Sequence, residues 1–134
     1  MKTILDTNVL LSAFLTDGTC ARILKRARQK DFSFILCEPV LLETKRLLKN
    51  KFSLSSRDIK LFVSILTEAA DVVYHPAGVP PSICRDPDDD IILVCAAETE
   101  SDFLVTGDKD LLVLKAYQGA KIIGPRDFEL LFMD

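Results

Sequence analysis

The stretch Asp86–Ala97, DPDDDIILVCAA, sets Asp88, Asp89 and Asp90 directly before seven apolar residues. Folding such a segment draws at least one carboxylate inward, and an unpaired buried charge costs several kcal/mol, in order of magnitude, or a large pKa shift. In a helix, Asp90 shares a face with Val94 and Ala97, so it points where the core points. A bound cation would lower the cost of keeping it there. Further carboxylates that can serve such a cation are Asp6, Glu43 and Asp108, with Asp110 close behind. Oxygen-only ligation favours hard ions, Mg²⁺ or Mn²⁺, over zinc. Such ions activate water and steady the leaving oxygen in displacements at phosphorus.

Each acid also has an ordinary reading. Asp6 suits a helix N-cap, and Glu43 sits at the edge of an apolar stripe where it can reach water or pair with Lys45 or Arg46. Their placement argues for more. Thr3–Leu5 reads as a strand running into Asp6, followed by a helix carrying Val9, Leu10, Ala13 and Phe14. Asp17-Gly18 breaks it, and a second helix runs from Thr19 to about Gln29. Phe32–Cys37 is a buried strand, and Pro39 opens a helix with Val40, Leu41, Thr44, Leu47 and Leu48 inward. Ser55 and Asp58 form a capping box before another helix, and Asp71–Tyr74 is a brief strand. His75–Arg85, with three prolines and a glycine, is a loop, and its lone histidine reads as loop structure.

After the acidic helix, Asp102–Thr106 is a strand ending in Gly107-Asp108, and Leu111–Leu114 is a helical turn closed by Gly119. Ala120–Ile123 is the last strand, and Gly124-Pro125 opens a terminal helix. Strands alternating with helices predict an α/β fold with a parallel sheet covered on both faces. In such sheets ligands bind beyond the carboxyl ends of the strands. Asp6 and Asp108 lie at two of those ends, and Glu43 and Asp90 lie on helices entered from the same edge. Thr7, Asn8 and Thr106 are placed to orient these ligands.

At 134 residues, 49% hydrophobic and 28% charged, the chain is expected to be one globular domain spanning 1–134. Its apolar runs are too short for a bilayer and its N-terminus has no apolar signal segment, so a cytoplasmic protein is expected. Cys20, Cys37, Cys84 and Cys95 lack metal-like spacing and read as reduced thiols. The net charge of −3 masks an uneven distribution. Set aside Asp6, Glu43, Asp86, Asp88, Asp89, Asp90, Asp108 and Asp110, and 12 acids face 17 lysines and arginines. The bases gather at Arg22–Lys30 and Lys45–Lys51, either as solvated helix faces or as a phosphate track.

GxSxG, GxGxxG, Walker A and HExxH motifs are absent, which removes the hydrolases and nucleotide-binding folds built on them. A haloacid-dehalogenase-type phosphatase wants an acid where Asn8 stands. A response-regulator receiver wants a lysine at the end of its fifth strand, where Lys121 instead begins one. A non-catalytic binding module has no need of the full acidic set.

The segments LDTNVLLSA (5–13), PVLLETKRLL (39–48), DPDDDIILVCAAE (86–98) and VTGDKDLL (105–112) resemble the four motifs of PIN domains. IIGPRDFELL at 122–131 extends the resemblance nearly end to end. The chain is most similar to the small prokaryotic, VapC-like members that form the toxin half of toxin–antitoxin pairs. The resemblance implies a Rossmann-like three-layer α/β/α sandwich with a central parallel sheet. It also implies a Mg²⁺- or Mn²⁺-dependent endoribonuclease in which metal-activated water leaves 5′-phosphate and 3′-hydroxyl ends. Position by position it maps the four acids onto Asp6, Glu43, Asp90 and Asp108, with Asn8 and Thr106 as supporting polar residues. Asp86, Asp88 or Asp89 can take the role given to Asp90, and Asp110 can replace or assist Asp108. RNA is the implied substrate, an antitoxin and a second copy of the chain the implied partners.

Overall fold

The computed structural model describes residues 1–133. Strand β1 (Lys2–Leu5) leads into helices α1 (Thr7–Leu15) and α2 (Thr19–Arg28), then β2 (Ser33–Cys37), α3 (Glu38–Asn50), α4 (Ser56–Ala69) and β3 (Val72–Tyr74). After the Pro-rich loop come α5 (Pro87–Glu98), β4 (Phe103–Val105), α6 (Lys109–Leu112), β5 (Ala116–Tyr117), β6 (Ala120–Ile123) and α7 (Pro125–Leu130). Prolines occupy the first turns of α3, α5 and α7, where a missing N–H costs nothing. Ser55 caps α4 by accepting from the Asp58 amide at 3.1 Å.

The strands form one sheet in the order β3-β2-β1-β4-β6-β5. All neighbours are parallel except β5 and β6. Successive residues Phe34, Ile35, Leu36 and Cys37 are all buried, so both faces of the sheet are covered, as the apolar runs predict. Phe32, Phe103, Phe128 and Phe132 pack edge-on and tilted at one end of this core, and Phe14 meets Phe62 between α1 and α4.

Two features depart from the sequence reading. Gly119 does not close a helix. Gln118 and Gly119, both at positive φ, form the two-residue turn of a β5–β6 hairpin. Cys37 and Cys95 are joined as a disulfide across 58 residues, with Cα atoms 6.5 Å apart. The end of β2 packs against α5, which brings the two buried sulfurs together, while Cys20 and Cys84 stay free. No helix among the described residues is long and apolar enough to cross a membrane.

Candidate active site

Chain order reverses direction in the sheet between β1 and β4, and a crevice opens beyond the carboxyl ends of those strands. It encloses about 450 Å³ and takes its walls from α1, α3, α5 and the β4–α6 turn. Asp6, Glu43, Asp86, Asp88, Asp89 and Asp108 all line it.

Asp6 leaves β1 as the N-cap of α1, with Oδ1 accepting from the Thr7 amide at 2.7 Å. Its Oδ2 accepts from Thr106 Oγ1 at 2.7 Å and from Asn8 Nδ2 at 3.3 Å. Thr106 Oγ1 in turn accepts from the Asp108 amide, and Asn8 Oδ1 accepts from the Gly107 amide, both at 3.0 Å. The β4–α6 turn is thereby laced to α1, which fixes Asp108 relative to Asp6. Capping and site-building are thus one arrangement at Asp6.

Despite three hydrogen bonds, burial raises the Asp6 carboxyl above the usual carboxylate range, and Asp108 adds to the effect. Glu43, half-buried on α3, is also raised, by burial first and then by Asp88, Asp6 and Asp86. Asp89 is pushed up to about 7 by burial, by sharing a hydrogen bond with Asp108, and by the charges of Asp108, Asp6 and Asp86. Carboxylate oxygens of Asp89, Asp108 and Asp110 lie within 4.8 Å of one another. No described base comes within ion-pairing distance of Asp6, Glu43, Asp86, Asp88, Asp89 or Asp108. Asp110 alone is paired, with Arg85 at 2.7 Å.

The donor set is therefore all oxygen and charge-crowded, with only Asp110 in an ion pair. It fits a hard divalent cation.

Asp90 is not part of this wall. It is buried as the sequence predicts (3% exposed), but its Oδ1 accepts from the amides of Ile83 and Cys84 at 3.0 and 2.9 Å. A buried carboxylate needs partners, and two backbone N–H groups of the Pro-rich loop supply them to this oxygen. Its neighbour Asp89 stands in the cleft instead, one turn before Ile92, which also lines it. Glu98 repeats the clamp two turns further along α5. It accepts from the Tyr74 hydroxyl and from the amides of Ala77 and Gly78 at 2.7–2.9 Å, bonds that hold its carboxyl below the usual range. Residues 75–85 are thus stapled to α5 at both ends. His75 pairs with Glu38 at 2.9 Å, away from the cleft acids.

The sequence reading missed Glu98 as a loop anchor and Arg85 as the partner of Asp110. Both bonds span about 20 residues or more, and nothing local announces them.

A family model for the PIN domain matches residues 2–110. Among solved structures, a chain in the crystal structure of VapBC2 from Rickettsia felis, bound to a DNA fragment from their promoter, shares this fold. It superposes with a TM-score of 0.67 at 13% identity, covering 92% of this chain and 98% of that one. No curated protein matches the sequence.

Proposed function

The chain belongs to the PIN domain family, and from that premise we propose that it is a divalent-metal-dependent endoribonuclease, the toxin of a toxin–antitoxin pair. The observation that carries this reading is the set of six carboxylates lining one crevice with no base paired to any of them. Asp6, Glu43, Asp89 and Asp108 would hold Mg²⁺ or Mn²⁺, with Asp86 and Asp88 at the rim. Such an ion would supply Lewis acidity for activating water and for offsetting charge on the scissile phosphate. Asp90, the acid that the sequence pattern assigned to this set, serves it indirectly by fixing the loop before α5.

The residues themselves prepare the site. Thr106 bridges Asp6 and the Asp108 backbone, so the two carboxylates cannot drift apart under their mutual repulsion. Asn8 holds Gly107 and keeps the turn in register. Burial of Asp6 limits competing water and strengthens its hold on any cation. The fold shared with the VapBC2 chain supports an antitoxin partner.

The test is RNA cleavage by purified protein in Mn²⁺, in Mg²⁺ and in EDTA, beside Asp6→Asn. Metal-dependent cutting that disappears in the folded variant is expected. Full activity in EDTA, or in Asp6→Asn, would overturn the reading.

A further inference from the structure

The two basic runs behave differently. In the first, Arg22 and Arg26 pair with the buried Glu129 of α7, and Lys30 pairs with Asp71. Those three cations are tied to acids of the fold, and the remaining two, Lys25 and Arg28, are unpaired among the described residues but line a separate pocket beside Glu68 and not the crevice. In the second, Lys45, Arg46, Lys49 and Lys51 follow α3, and Arg57 and Lys60 stand on the first two turns of α4. All six are exposed, and none lies within ion-pairing distance of a described acid. Lys45, Arg46, Lys49 and Lys60 border a groove of about 340 Å³ between the two helices, floored in part by Ile59.

This groove adjoins the acidic crevice: Arg46 lines both, and Lys51 lines the crevice. Next to Lys51 stands Phe52, an aromatic ring 38% exposed, with the Lys51 ammonium 5.6 Å from its centroid. Unpaired cations beside an exposed aromatic ring are what a single strand of nucleic acid uses, phosphates on the bases and a nucleobase on the ring. An acidic polypeptide matches the cations but brings no nucleobase to the exposed ring. A phosphodiester chain entering a site of six carboxylates needs cations beside it, and these are the ones in place.

We propose that the α3–α4 face is the track along which single-stranded RNA reaches the crevice, with Phe52 as its stacking platform. The proposal rests on the ribonuclease reading for the identity of the strand. It adds where the strand lies.

Fluorescence anisotropy with a labelled, mixed-sequence single-stranded oligoribonucleotide in EDTA tests it without cleavage. Lys49→Gln/Lys60→Gln should weaken binding about fivefold or more and make the plot of log affinity against log salt shallower by about 1.4. Lys49→Arg/Lys60→Arg should restore both. Phe52→Ala should weaken binding about tenfold with the salt slope unchanged. Lys25→Gln/Arg28→Gln on α2, an equal charge change, should bind as wild type does. Equal losses in the two glutamine doubles, unchanged binding in Lys49→Gln/Lys60→Gln, or binding of polyglutamate but not of RNA would each overturn the track. Cleavage in Mn²⁺ is scored separately. Cutting that survives with an unchanged Lys49→Gln/Lys60→Gln defeats only the track, and patch-dependent binding without cutting defeats only the nuclease.

Discussion

Asp89 and Asp90 are neighbours on one helix and meet opposite fates. The cleft side of α5 presents Asp86, Asp88 and Asp89 to other carboxylates, and Asp89 there holds its proton up to about pH 7. The loop side presents Asp90 and Glu98 to backbone amides, and Glu98 there lies below the usual carboxylate range. One side crowds like charges together, and the other meets backbone donors. What separates a cleft carboxylate from a staple is thus what faces it, not whether it is buried. Asp90 is the more buried of the adjacent pair and is the staple.

Substitution on the cleft side of α5 should cost the most activity. Asp89→Asn should lower Mn²⁺-dependent RNA cleavage by at least about 100-fold. Asp90→Asn should stay within about threefold of wild type, because the amide oxygen still accepts from Ile83 and Cys84. Single-turnover assays on both variants measure this directly.

Removing the acceptor altogether should cost stability on the loop side. Asp90→Ala leaves two loop amides without their partner, a loss of about 2–4 kcal/mol visible in urea unfolding.

The pH dependence should carry opposite signs on the two sides. A carboxyl raised in the folded state favours folding below its unfolded pKa and loses that contribution as pH rises. In EDTA, therefore, the melting temperature should fall between about pH 4 and pH 7, and Asp89→Asn should flatten the slope. A carboxyl lowered in the folded state contributes above its unfolded pKa and loses the contribution in acid. Protection of residues 75–85 from proteolysis should accordingly weaken as pH falls below the ordinary glutamate value of 4.5. The smallest change is Glu98→Gln, which should expose the same loop to protease at neutral pH with little shift in melting temperature.

Most of the architecture was legible because short apolar runs end at residues that start helices. Leu5 gives way to Asp6, Cys37 to Pro39, and Val105 to Asp108, so strands, caps and crevice edge coincide. The β5–β6 hairpin was not, since Ala116–Tyr117 is two residues long and its turn is Gln-Gly rather than the commoner Asn-Gly. The choice between Asp89 and Asp90 was also hidden. Ile92, Leu93, Val94, Cys95 and Ala96 are all buried, so α5 has no polar stripe from which its rotation could be read. The Cys37–Cys95 pairing and the Asp90 and Glu98 clamps are tertiary contacts with no local signature.

Thermal unfolding against Mn²⁺ concentration for wild type, Asp89→Asn and Asp90→Asn separates the two sides of α5. A cation held only by the folded cleft raises the melting temperature by mass action. Equal, saturable rises are expected in wild type and Asp90→Asn, with little or none in Asp89→Asn. A rise lost in Asp90→Asn and kept in Asp89→Asn would contradict this assignment of roles, as would a melting temperature that no concentration of Mn²⁺ moves.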